Sequence, residues 1–362
     1  CICKKESQPA MRVKANFVVS HPTGNTFVRA LLTELQKNQQ LKKFYTTIGV
    51  GYGVNSFLKA LSKKREYSIL DDKISRQWIP ELGRLLSKGD QRSRRKKTDN
   101  SYLALDKKVS KELIKQDNQV MHAYEDGAYY SFRQAQELGI QCSYELPIAH
   151  WTTVRRLLAE EAERHPQWEP TLESTREPEE KLFRKEEELR LADKINCPSQ
   201  FVLDSIPRKI KQNTPCHVSP FGSPASPQPA GKIITDTNNS LKLLFVGSMS
   251  QRKGLADLFE AMKLLIKEPV TLSILGQPSL PMDFYRRQFS QFQYFRPCSN
   301  QKVREIMMKH DMLVVPSIVE GRALVQQEAL SCGLPIITTP NSGGEDLVEE
   351  GVTGHLVPIR SP

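Results

Sequence analysis

Short apolar runs alternate along this chain with longer stretches of helical apolar spacing, the pattern of a parallel α/β architecture. In the first half, 15–20 reads as a buried strand followed by the turn His21-Pro22-Thr23-Gly24-Asn25. Phe27, Leu31, Leu32 and Leu35 then recur at helical spacing over 26–35. Further strands are expected at 44–50, 119–123, 141–146 and Lys194–Cys197, with 151–192 helical and heavily charged. In the second half, strands at Leu241–Val246, Val270–Leu275, Met312–Val315, 335–338 and 354–357 alternate with helices over 254–266, 301–309 and 322–332.

A chain of 362 residues is long enough for two domains with separate cores. Pro215, Pro220, Pro224, Pro227 and Pro229 lie among Ser, Gly and Asn, which neither a helix nor a central strand tolerates. The expected organisation is a first domain over 1–218, a connection over 219–240 and a second domain over 241–362. No apolar run is long enough to span a bilayer. The stretch Cys1-Ile2-Cys3-Lys4-Lys5-Glu6 lacks the apolar core of a signal peptide, and Met11 reads as a start preceded by an extension. Seven cysteines without a Cys-x-x-Cys pair suggest neither a disulfide framework nor a metal site, so a reducing cytoplasm is expected. The net charge of +11 concentrates in Arg92-Ser93-Arg94-Arg95-Lys96-Lys97 and Lys63-Lys64-Arg65. Such runs attract phosphate, anionic lipid or nucleic acid, or are solvated loops, and the sequence leaves these open.

The segment from Asp311 to Pro335 carries the strongest chemical signal. An apolar strand leads through Pro316-Ser317 to Glu320-Gly321, and a helix pattern begins at once. The N–H groups and dipole of a helix N-terminus at Gly321, Arg322 and Ala323 suit a diphosphate. A glycine at 321 allows close backbone approach. Glu328 falls two turns into the helix, roughly 12 Å along its axis, the reach from a sugar to a ribose across a diphosphate. In a chain with 41 acidic residues two such glutamates mean little alone. Their setting (strand, Pro-Ser, Glu-Gly, helix, Gly-x-Pro, strand) resembles the signature of the family 4 retaining glycosyltransferases, Glu-x7-Glu.

Two further stretches fit that resemblance. Gly247-Ser248-Met249-Ser250-Gln251-Arg252-Lys253-Gly254 is similar to the family's donor-phosphate loop, with Lys253-Gly254 in place. Ser248 stands where the family has arginine, and Arg252 is the candidate replacement cation, since a guanidinium grips two phosphate oxygens. Gly343-Gly344 is similar to the family's Gly-Gly loop beside the donor. More loosely, Gly24 matches a glycine-rich loop, and His150, at the end of Tyr144-Glu145-Leu146-Pro147-Ile148-Ala149-His150-Trp151, matches an active-site histidine. His122 is its competitor.

The resemblance implies two Rossmann-like doubly wound α/β domains facing a cleft (the GT-B fold), with further C-terminal helices missing from this sequence. It implies a retaining hexosyl transfer from a nucleoside-diphosphate sugar, with His150 and Glu320 catalytic. Gly24, Gly247, Arg252, Lys253, Gly321, Arg322, Ala323, Glu328, Gly343 and Gly344 would be donor-binding. No Asp-x-Asp occurs, so neither a divalent metal nor a cofactor is implied. The acceptor, the donor base and the sugar are not legible. The expected location is cytoplasmic, with peripheral association at the inner membrane face left open by the basic runs. The alternatives are a sugar-nucleotide hydrolase or phosphorylase on the same fold. A nucleic-acid-binding protein is the rival of another class, though no binding module accompanies the basic run and no nucleic acid partner is expected. An oxidoreductase lacks its G-x-G-x-x-G after the strand.

Overall fold

The computed structural model describes residues 15–53, 65–86, 91–115, 119–172, 177–225 and 240–362. The expectations resting on Cys1, Cys3, Met11, Lys63, Lys64, the Arg92 side chain, Pro227 and Pro229 lie outside the described residues. The chain forms two compact units: Cys1–Glu145 with Arg184–Lys194, and Leu146–Phe183 with Ile195–Pro362.

In the first unit, β1 (Asn16–Ser20) is flanked by β2 (Leu41–Thr46), and β3 (Val50–Tyr52) pairs separately with β4 (Glu66–Leu70). With β5 (Ile74–Arg76), β6 (Gln119–Tyr124) and β7 (Gln141–Glu145), the strands lie parallel in the order β5-β2-β1-β6-β7. The strand expected at 44–50 starts at Leu41 and ends at Thr46. It ends there because the Thr46 and Thr47 hydroxyls turn to the Pro22 carbonyl, 3.3 and 2.6 Å away. Nor is the basic run a loop. It opens the helix Gln91–Glu112, whose residues beyond the run bury Leu105 and Val109; Arg and Lys are good helix formers, and no Gly or Pro interrupts them.

The second unit begins with the helix Trp151–Arg164, which stops before Pro166, and a 3-10 turn over Pro166–Thr171. Residues 151–192 are thus broken rather than continuously helical, resuming as the helix Glu179–Leu191. The short strands β8 (Lys194–Cys197) and β9 (Cys216–Val218) pair in parallel. Then come β10 (Leu241–Val246), β11 (Val270–Leu275), β12 (Phe292–Phe295), β13 (Met312–Val315), β14 (Ile336–Thr338) and β15 (Gly354–Leu356). They form one parallel sheet in the order β12-β11-β10-β13-β14-β15. Counted along the chain this is 3-2-1-4-5-6, the doubly wound dinucleotide-binding order, which reverses between β10 and β13. Neighbouring residues of β10 point to opposite faces. Leu243 and Phe245 pack with Phe259, Leu272 and Trp168, while Leu244 packs with Leu313, Val315 and Ile336. Burial on both faces is why these strands read as unbroken apolar runs.

One helix of the first unit, Trp78–Leu85, has its polar side inward. Glu81 is wholly buried. It accepts from Arg65 Nη2 (2.7 Å), Arg84 Nε and Nη2 (2.8 and 2.7 Å) and Ser101 Oγ (3.1 Å). Burial alone would raise its carboxyl, but Arg84 and Arg65 outweigh it and hold it at about 2. A depressed folded-state value contributes stability that is complete above the unfolded carboxylate value of ~4.3 and lost as pH falls through the folded one. Urea midpoints should therefore fall between about pH 4 and the folded value of about 2. Glu81→Gln should show a smaller fall over that window and a loss of about 3 kcal/mol at neutral pH.

Candidate active site

Ligands of doubly wound sheets bind beyond the carboxyl ends of the strands, where the order reverses. In the second unit those ends carry the loop 247–254 after β10 and the loop 316–323 after β13. The two loops are joined by their own backbones: Ile318 N–H donates to the Arg252 carbonyl at 2.9 Å. Glycines make this approach feasible. A Cβ on Gly254, whose φ is +71°, would lie 1.9 Å from the Pro316 carbonyl oxygen, and one on Gly276 would lie 1.7 Å from the Gly247 carbonyl oxygen.

Charge converges where the loops meet. Arg252 Nη1 donates to Glu320 Oε2 (3.0 Å) and to the Val319 carbonyl (3.2 Å), and Lys253 Nζ pairs with the same Glu320 oxygen. Burial would raise the Glu320 carboxyl, yet Arg252, Lys253 and the Gly321 N–H hold it at about 2. Burial lowers the Lys253 ammonium against the pull of Glu320. Two cations on one carboxylate leave a net positive charge in a partly dehydrated site, which favours an anion.

The helix N-terminus is arranged differently from the sequence expectation. The helix runs Leu324–Ser331. The Ala323 N–H donates to the Ser342 carbonyl at 3.0 Å, and the Gly321 N–H faces the Glu320 carboxylate. Arg322 is buried, with Nη1 and Nη2 on the two Asp346 oxygens (2.7 and 3.0 Å) and Nη1 also on the Gly343 carbonyl (3.0 Å). Close approach at Gly321 serves the protein itself, because a Cβ there would lie 1.7 Å from the Pro147 carbonyl oxygen. Gly343, at φ +68°, meets the Gly321 carbonyl at 1.9 Å in the same sense, and a Cβ on Gly344 would meet the Gln326 amide. These glycines hold the loop 316–323 between 147–148 and 343–344. Glu328 is half-buried on the helix and no hydrogen bond or ion pair among the described residues engages its carboxylate. Burial raises its pKa, with Arg304 opposing.

His150 belongs to this second unit. It caps Trp151–Arg164: its backbone N–H donates to Ser205 Oγ (2.8 Å), and its Nδ1 lies 2.7 Å from Thr152 Oγ1. Ser199, in turn, donates to the Gly321 carbonyl at 2.7 Å. Ile318 and Val319, just before Glu320, are buried against Ala149, Val154, Leu157 and Leu158. Gly24 lies in the first unit. It has φ +60° and packs so closely on Tyr67 that a Cβ would fall 2.0 Å from the phenol oxygen. His21 Nδ1 accepts from the Gly24 and Thr23 N–H groups (2.8 and 3.1 Å). Burial, then the proximity of His122, lowers the His21 pKa to about 3, so the ring is neutral and able to accept. His122 sits on β6 beside Ser143, with Nδ1 3.1 Å from Oγ.

The residue that sequence reasoning missed is Gln251. It is wholly buried. Its Nε2 donates to Glu161 Oε2 (2.6 Å) and Asp257 Oδ2 (2.7 Å), its Oε1 accepts from Ala256 N (2.8 Å), and its backbone N–H donates to Thr171 Oγ1 (3.1 Å). Arg360 Nε donates to Glu161 Oε1 at 2.5 Å, and Arg164 lies 3.7 Å from Asp257. Glu161, His165 and Asp257 have the spacing of a metal ligand set, but the Gln251 amide already bridges its two carboxylates. The residue next to Arg252 and Lys253 is thus anchored to a helix 90 positions away, which no local spacing signals. Gln251→Met should cost about 3 kcal/mol by urea unfolding, since it takes a donor from Glu161 Oε2 and from Asp257 Oδ2 in a buried site. Gln251→Glu, adding a third carboxylate, should cost more.

Residues 240–362 match the family model described as glycosyl transferases group 1. The alpha-maltose-1-phosphate synthase of Mycolicibacterium smegmatis is 26% identical over 147 residues, 37% of this chain and 38% of that protein. The chain spans 32% to 47% of the first curated relatives' own lengths. Among solved structures, the sucrose-phosphate synthase of Thermosynechococcus elongatus superposes with a TM-score of 0.62 at 15% identity, covering 96% of this chain and 87% of that one. The UDP-forming alpha,alpha-trehalose-phosphate synthase of Burkholderia vietnamiensis gives 0.59 at 11%, with the same coverage. The chain therefore has the GT-B fold, and its residues 240–362 are similar to the glycosyl transferases group 1 family.

Proposed function

We propose that the protein transfers a glycosyl group from a nucleoside-diphosphate sugar to an acceptor hydroxyl, with retention at the anomeric carbon. The observation that carries this reading is the meeting of Arg252, Lys253 and Glu320 at the order reversal of the second sheet. Arg252 and Lys253 take the diphosphate, giving up part of their contact with Glu320, which then accepts from sugar hydroxyls. Glu328, whose carboxylate no hydrogen bond among the described residues engages, accepts from the ribose hydroxyls. Gly247, Gly321, Gly343 and Gly344 shape the donor wall. Arg322 and Ala323 act indirectly, by holding that wall to Asp346 and Ser342. His150 contacts the donor sugar, and Gly24 is proposed as a donor-binding residue.

In the reaction the bond from the anomeric carbon to the β-phosphate oxygen breaks. The acceptor oxygen bonds to that carbon on the same face, and its proton passes to the departing phosphate. The residues supply preorganised positive charge to the leaving group, with no protein nucleophile and no call on a divalent ion. The UDP-forming relative makes UDP the first carrier to test. The five described cysteines are free thiols. Among the described residues no helix is long and apolar enough to cross a membrane.

Melting the protein with UDP, GDP and ADP, with and without their sugars, tests the site. A nucleotide at 100 times its Kd should stabilise the fold by ~2.7 kcal/mol, a rise of about 2–4 °C. Glu328→Ala and Lys253→Ala should lose the rise while keeping the unliganded melting temperature within a few degrees. A rise that survives in both variants places the nucleotide elsewhere. Product analysis with and without acceptor then separates transfer from hydrolysis, since a hydrolase releases free sugar at the same rate without acceptor.

A further inference from the structure

The helix Trp78–Leu85 is inside out. Glu81 is 0% exposed, whereas Trp78 is 55%, Ile79 71%, Leu85 54% and the following Leu86 80% exposed. At helical spacing, Ile79, Leu82 and Leu86 lie opposite the inward side formed by Pro80, Glu81 and Arg84, with Trp78 and Leu85 on its exposed flanks. The helix cannot roll over to bury them, because that would carry Glu81 away from Arg65 and Ser101 at a large desolvation cost. An apolar face locked outward in this way marks a docking surface.

We propose that this face seats the protein on an anionic lipid bilayer. A tryptophan followed by aliphatic side chains on one side of a short helix is the chemistry of a helix lying in the headgroup boundary. Charge favours the same occupant. The chain carries +11. The neighbouring helix Gln91–Glu112, joined to this one by the Ser101–Glu81 hydrogen bond, exposes Arg94 and Lys96 near its start. Two copies meeting through this face would bring like charges together, whereas anionic headgroups offset them. No residue assigned to the nucleotide takes part, so this inference stands or falls apart from the proposed reaction.

Vesicle flotation of the full chain tests it, with phosphatidylcholine vesicles and with vesicles containing phosphatidylglycerol. Wild type should float with the anionic vesicles, less so at high salt, and its tryptophan emission should shift to the blue, a shift that Trp78→Phe reduces. The double variant Ile79→Ser/Leu86→Ser should lose about tenfold or more in partitioning. Both side chains are exposed, so its melting temperature should stay near that of wild type. Arg94→Glu/Lys96→Glu, which leaves the apolar face intact, should also weaken binding and is read alone should the serine variant fail to fold. Absence of flotation, equal binding to neutral vesicles, or unchanged partitioning of the variants overturns the proposal. So does a concentration-dependent dimer that only the serine variant abolishes, which would give the face to a second copy.

Discussion

The second unit is organised around one carboxylate. Glu320 brings the loop after β13 to the loop after β10 by taking both Arg252 and Lys253. A buried ion pair repays its desolvation only when geometry is good and the remaining groups are satisfied. Here the backbone meets that condition in advance. The Arg252 carbonyl accepts from Ile318 N, and Gly254 lets the chains close to a distance that any Cβ would forbid. Two cations against one carboxylate leave this spot with one positive charge in excess, an arrangement that favours an anion.

That arrangement would be mobile if it rested on its own loops, and the surrounding network prevents this. Gln251 ties one loop to Glu161, Asp257 and Thr171, and the arginines Arg164 and Arg360 balance the carboxylates. The other loop is tied through Arg322 to Asp346 and Gly343, and through Ala323 N to Ser342. Ile318 and Val319 are clamped beneath the helix Trp151–Arg164. The Gln251 amide and the Arg322 guanidinium are both engaged by several partners, the circumstance in which a polar network rigidifies a site instead of weakening it. Charges held in place before a ligand arrives need no reorganisation when charge develops on a leaving group.

In the first unit a similar cluster serves a different end. Glu81 and its two arginines fix the facing of a helix and, with it, the exposure of Trp78 and its apolar neighbours. The same physics, a buried carboxylate with paired guanidinium groups, sets a loop in one unit and a surface in the other.

Strands buried on both faces were legible because their apolar runs are continuous, and Leu241–Val246, Val270–Leu275 and Met312–Val315 lie where the pattern puts them. The short strands Ile74–Arg76 and Phe292–Phe295 were not, being too brief to show a period. Glu320, Lys253 and Gly254 could be picked out because strand, glycine, charge and helix follow one another within a few residues. By itself, then, the sequence determined the alternating α/β order and the local chemistry of each loop. Only the tertiary structure decided that Arg322 and Ala323 are spent on Asp346 and Ser342, that Gln251 is an anchor, and that the helix Trp78–Leu85 faces outward. Each of those outcomes depends on partners far away in the chain, and period and spacing report only on neighbours.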